Sequence, residues 1–143
     1  MKPMLATDDG ILAQLNIVSR KLQMQLNNEL MPLQLTASNY YFLLKLNLVG
    51  QMTQDQLFHQ IYLSPSNVTR RLDELIRLGL VKKTRATDDK RSWNISLTNK
   101  GTRLIPALKH VLAHINQESL GALSAAQVDA FTESLVQIAV SLT

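Results

Sequence analysis

The chain contains no cysteine. Disulfides, thiol redox sensing and thiolate metal sites are therefore excluded from it. No apolar run reaches about 18 residues, so no membrane span is expected. The first residues carry an acidic pair, Asp8 and Asp9, and no signal-peptide pattern; a cytoplasmic location is the expectation. Internal repeats and low-complexity segments are missing as well. There is no glycine-rich phosphate loop and no recognisable nucleophile–base pair, which argues against an enzyme. No cofactor is expected.

What is present is an ordinary core and an uneven charge. The apolar content of 45% over 143 residues is enough for one domain, or for two lobes sharing a core. The net charge is +4. Residues 1–34 balance Lys2, Arg20 and Lys21 against Asp8, Asp9 and Glu29. Residues 99–143 balance Lys100, Arg103 and Lys109 against Glu118, Asp129 and Glu133. The whole excess lies in residues 35–98, and eight of the fifteen cations fall between Arg70 and Arg91. A solvated charged face is the plain alternative, but a lobe that meets a polyanion explains the clustering better.

The segment Ser64–Arg91 carries that cluster. Ser64 suits a helix N-cap and Pro65 the first helical position. Val68, Leu72 and Leu75 recur at helical spacing as an inward stripe. Ser66, Asn67, Thr69, Arg70, Arg71 and Arg77 fall mostly off it. Gly79 can end the helix. Leu80–Arg85 and Ser92–Leu97 then read as two strands around a charged tip. Upstream, Thr53 caps a short helix over Gln54–Ile61, separated from Ser64 only by Tyr62 and Leu63. Two short helices with a tight turn, the second basic, make a helix-turn-helix, and the hairpin makes it winged.

The flanks read as helices. Residues from about Thr7 to Leu30 place Ile11, Leu15, Val18, Leu22 and Leu26 on one stripe, with a weaker second line through Ile17, Met24 and Met31. Leu35 and Thr36 open the next helix, whose Tyr40, Phe42, Leu43, Leu44, Leu46 and Leu48 leave no polar face; Gly50 ends it. Thr98 begins a long helix to about Leu120, with Pro106 inside it, where a kink is expected. Ser124 with Gln127 is a capping box for a last amphipathic helix through Val128, Phe131, Leu135, Ile138 and Leu142. First and last helices offer more apolar face than a small lobe needs, which favours a helical dimerisation lobe built from both chain ends.

The run from Leu35 to Gly101 resembles the multiple-antibiotic-resistance regulator (MarR) family. Leu35 and Thr36 followed by Tyr40 and Leu43 match its second helix. Leu57, then Leu63 to Arg70, match its helix-turn-helix. Leu75 with Gly79, Leu80 and Val81 match the end of the reading helix. Asp89, Lys90 and Arg91 match the wing-tip D-x-R, and Leu97, Thr98 and Gly101 the start of the fifth helix. Three positions depart from the pattern. Phe58 stands where a small residue is usual, Ala86 where the wing often has an aspartate, and Pro106 is unusual in the fifth helix.

The resemblance implies a mainly α fold with a small β-wing: about six helices and a two-stranded wing. Residues 1–143 form one domain, with a winged helix-turn-helix lobe over 35–98 and a dimerisation lobe from 1–34 and 99–143. It also implies a transcriptional regulator, a homodimer on a pseudopalindromic operator in double-stranded DNA. Repression relieved by a small ligand is the expected mode. Ser66, Asn67, Thr69 and Arg70 are the expected base-edge readers, with Ser64 at the helix start. Arg71 and Lys82 are expected as phosphate contacts or solvated charges. Arg91 enters the minor groove, with Asp89 and Lys90 beside it at the wing tip.

A small aromatic or anionic effector is expected between the lobes. Arg20 meets its carboxylate, Met24 and Tyr40 supply apolar walls, and His110 a polar contact; in the plain alternative Arg20 snorkels to solvent and the methionines fill core. Other readings stay open. His110 and His114 share a helix face at zinc-ligand spacing near Glu118, so control by a metal is one. Control by a protein partner is another, and a regulator with no small-molecule effector a third.

Overall fold

The computed structural model describes residues 10–61, 65–87 and 91–142. Six α-helices and three strands form along the described residues. The first helix, α1, spans Gly10–Leu30 and runs into a 3-10 turn at Met31–Leu33; α2 is Tyr40–Val49. Strand β1 (Gln51–Thr53) leads into α3 (Gln54–Ile61), and α4 follows at Pro65–Arg77. Then come β2 (Val81–Arg85), β3 (Trp93–Leu97), α5 (Asn99–Leu120) and α6 (Ala125–Ser141). The chain divides into two compact units, Met1–Val111 and Leu112–Thr143.

The core of the first unit is mostly aliphatic. Phe42, Leu43 and Leu46 of α2, Leu57 of α3, and Val68, Leu72 and Leu75 of α4 are all buried. Each such side chain is worth about 1.5–3 kcal/mol removed from water. The sheet order is β1-β3-β2, antiparallel throughout. Met52, Val81 and Ile95 are its buried residues.

The hairpin expectation is extended by one strand. Gln51–Thr53 pairs with Asn94–Ser96, so the sheet has three strands where the sequence suggests two. The short β1 segment is only three residues long, too short to show a period of two. Thr53 still caps α3: its Oγ1 accepts from the Gln56 N–H at 3.1 Å, and Gln56 Oε1 accepts from the Thr53 N–H at 2.9 Å.

The helix over α2 begins later than Thr36. Residues 36–39 form a separate opening turn, in which the Thr36 carbonyl accepts from the N–H groups of Asn39 and Tyr40. Asn39 Oδ1 turns back to accept from the Thr36 N–H at 2.9 Å. Nor is α2 buried all round. Leu48 is 77% exposed, and Tyr41 and Val49 also face outward. In α1, Ile11, Leu15, Val18 and Leu22 are exposed, and only Leu26 and Leu30 of its apolar side chains are buried. In α6, Phe131, Leu135 and Ile138 are exposed behind the expected Ser124–Gln127 capping box, as is Leu142 at its C-cap.

The helix end after α4 fixes where the wing starts. Gly79 has φ 75°, a conformation that favours glycine. The Gly79 N–H donates to Ile76 O at 2.9 Å and the Leu80 N–H to Leu75 O at 3.0 Å, a Schellman pair of bonds. Thr98 then links wing and α5. Its hydroxyl donates to Gly79 O at 2.6 Å and accepts from the Gly101 N–H at 3.0 Å. Helix α5 runs on through Pro106 without interruption.

Candidate nucleic-acid interface

Helix α4 is the base of the candidate interface. With Val68, Leu72 and Leu75 inward, the 3.6-residue period turns Ser66, Thr69 and Arg70 outward. All three are exposed, and Asn67 is half-buried. The Thr69 hydroxyl also fixes α4 to α3, since it accepts from Gln54 Nε2 at 3.0 Å. The expected residues Ser64, Asp89 and Lys90 lie outside the described residues.

Arg71 stands apart from its neighbours. Its Nη1 is 3.0 Å from Glu74 Oε1, and both side chains are half-buried. The other Glu74 oxygen accepts from Asn39 Nδ2 at 3.4 Å. Here Arg71 belongs to a local network joining α4 to the opening turn of α2, with a carboxylate offsetting its charge.

The wing places its cations by strand alternation. Lys82 is opposite Ser96, Lys83 opposite Ile95, and Arg85 opposite Trp93. Lys83 and Arg85 therefore share one face and Lys82 lies on the other. Arg85 Cζ is 4.7 Å from the centre of the Trp93 ring, and Lys83 Nζ is 5.9 Å from it. Ala86 is buried at the tip end of the two strands, where its N–H donates to Ser92 O at 3.1 Å. A small residue suits that place.

A groove of about 340 Å³ runs between the helix-turn-helix and the wing. Gln54, Phe58, Thr69, Arg91 and Trp93 are among its walls. It brings together two of the expected residues, Thr69 and the exposed Arg91. Phe58 finds room at this edge: it is half-buried and its ring lies 5.1 Å from that of His59. Sequence reasoning misses Gln54 and Trp93 as parts of the site. Strand pairing carries a signal for Trp93, because a hairpin in this register sets it directly across from Arg85.

The expected effector residues are dispersed differently. Arg20 and Met24 are exposed on α1, Tyr40 is half-buried in the first turn of α2, and His110 is exposed on α5. Burial raises the Tyr40 phenol above its ordinary range, with a smaller push from Tyr41. A second groove, about 280 Å³, is lined by Pro32, Leu33, Leu78, Leu80, Lys100 and Leu104 among others. Neither groove is lined by Arg20, Met24, Tyr40 or His110. His114 Nε2 lies 3.6 Å from Glu118 Oε1, and no group of three or more metal-ligating side chains forms among the described residues. No helix among the described residues is long and apolar enough to cross a membrane.

Two successive helices, the second with an exposed polar and cationic face, followed by a hairpin bearing stacked cations, define a winged helix-turn-helix protein. Residues 35–93 match the sequence model of the MarR family. Through this winged helix-turn-helix segment the chain is similar to the MarR family.

Solved structures share the fold over nearly the full length. A cysteine-to-serine mutant of MarR from E. coli, complexed with operator DNA, superposes with TM-score 0.84 at 22% identity, covering 96% of this chain and 99% of that one. A Listeria monocytogenes protein named for the MarR family of transcriptional regulators, complexed with 26mer DNA, gives TM-score 0.84 at 20% identity, covering 92% and 87%. AbsC, a MarR family transcriptional regulator from Streptomyces coelicolor, gives 0.82 at 23% identity, covering 95% of each.

Proposed function

We propose that this protein is a sequence-specific DNA-binding transcriptional regulator that acts as a homodimer on an inverted-repeat operator. The observation that carries the reading is the outward face of α4. Ser66, Thr69 and Arg70 are exposed there, opposite a fully buried stripe. Such a face has the donors and acceptors that base edges in a major groove require. Arg91, on the groove beside α4, is the minor-groove contact of the wing. Relatives of the same fold are described in complex with operator DNA and with 26mer DNA, which supports the choice of partner.

The dimer supplies spacing. Two reading helices enter successive major grooves when they sit roughly 34–36 Å apart. The exposed apolar residues of α1 and of α6 are the surfaces that would be covered in it. Repression follows by occupancy of the operator, and a small aromatic or anionic ligand relieves it by favouring a different spacing. Tyr40 suits such a ligand as a hydroxyl donor, since its side chain is only half-buried in the first turn of α2.

Selection from random duplex DNA tests the reading. The expected product is an inverted repeat with half-site centres about one helical turn apart. Recovery of no enriched sequence, or of a single half-site only, overturns it. Titration of salicylate-like acids against the bound operator tests the effector step, with release from DNA as the expected outcome.

A further inference from the structure

The wing carries a cation arrangement that none of the expected DNA contacts includes. Arg85 lies over Trp93 with its guanidinium carbon 4.7 Å from the ring centre, and Lys83 approaches the same ring at 5.9 Å. Trp93 is 37% exposed, so part of the indole stays open to solvent. It lines the groove beside α4 together with Asp55, Thr69 and Arg91 among others. Two cations thus meet one indole on the side of the sheet that adjoins the reading helix. The ring's quadrupole attracts both of them.

We propose that Lys83 and Arg85, held on Trp93, form a phosphate clamp on the wing, and that Trp93 is its positioning residue. This rests on the DNA-binding reading above and adds a contact to it. A long arginine side chain loses much rotamer freedom when it is fixed by a ligand. Stacking removes part of that freedom before DNA arrives, so less is lost on binding. The clamp meets the sugar–phosphate backbone, and so it contributes to operator and random DNA alike.

The salt dependence of affinity for a fluorescein-labelled random-sequence duplex tests this, with the full-length protein. Each neutralised phosphate contributes about 0.9 to the slope of log K against log salt. Arg85→Gln removes one neutralising cation and lowers the slope by about that amount. Trp93→Ala lowers it similarly, Trp93→Phe retains it, and the Arg85→Gln/Trp93→Ala double variant falls no further, as expected for a ring that acts through the arginine. Lys109→Gln, at an exposed cation on α5, removes the same charge and leaves the slope unchanged.

If Trp93→Ala lowers thermal stability while every slope stays at the wild-type value, Trp93 is packing only and the clamp is overturned, with the DNA-binding reading left standing. If the wild-type protein fails to bind the duplex at all, both fall together.

Discussion

Asn39 is 2% exposed and uses both ends of its amide. Its oxygen accepts from the Thr36 N–H at 2.9 Å, and its Nδ2 donates to Glu74 Oε2 at 3.4 Å. A leucine there fills similar space but leaves a backbone donor and a carboxylate oxygen each short of a partner. Asn39→Leu should lower stability by about 1–3 kcal/mol, measured by urea unfolding. Gly101 offers a sharper case. A Cβ at this position would run into the Leu80 carbonyl oxygen and its backbone. Gly101→Ala should cost about 1–3 kcal/mol through that overlap, read as a fall in Tm. In the sequence Gly101 stands out only as part of a family pattern, and the reason for it is tertiary: the α5 start lies against the wing base. The same limit applies to Arg71. Its spacing to Glu74 is visible in the sequence, but the third member of the network, Asn39, lies 35 residues from Glu74 along the chain.

At the level of helices and strands, periodicity and caps carry most of the fold. The stripe Val68, Leu72, Leu75 is buried as the spacing requires. The caps at Thr53 and Ser124 form as reciprocal pairs, because capping depends on residues only three apart. Two features are not legible in the sequence. Strand β1 is defined by its pairing with β3, a contact between residues more than forty positions apart. The opening turn at residues 36–39 reads as helix, because a cap and its first helical turn share their residue preferences. Leu72 is the centre of the α4 stripe and fully buried. Leu72→Ala should destabilise the fold by about 2–5 kcal/mol. DNA affinity at low temperature, where the variant is still folded, should fall far less than stability does, because Leu72 faces away from the proposed interface.

Across the molecule as a whole, the charge excess and the exposed apolar residues call for two different partners. Arg70 on α4 and Lys82, Arg85 and Arg91 on the wing are exposed, where a polyanion can reach them. The exposed apolar residues of α1 and α6 are unsuited to solvent in this number: Leu12 is 65% and Val136 is 59% exposed. A second copy of the chain is the simplest cover for both faces. Sedimentation equilibrium at micromolar concentration should therefore give twice the mass of the chain. A monomer with native helicity would contradict the dimer. The balanced, apolar chain ends make this much legible in the sequence. The groove between wing and helix-turn-helix is not, since that space is set by how Phe58, Trp93 and Gln54 converge from separate elements.

The proposed function turns on α4 reading base edges. Arg70 is exposed on the outward face of α4, where a bidentate contact to a base is worth about 1–3 kcal/mol of discrimination. The affinities of wild-type protein and of Arg70→Ala, measured for the selected operator and for a random duplex in the same salt, separate base reading from phosphate binding. The expected result is a loss of that size for the operator and a much smaller one for random DNA. An equal loss for both duplexes would make Arg70 a phosphate contact and contradict the assignment of α4 as the reading helix.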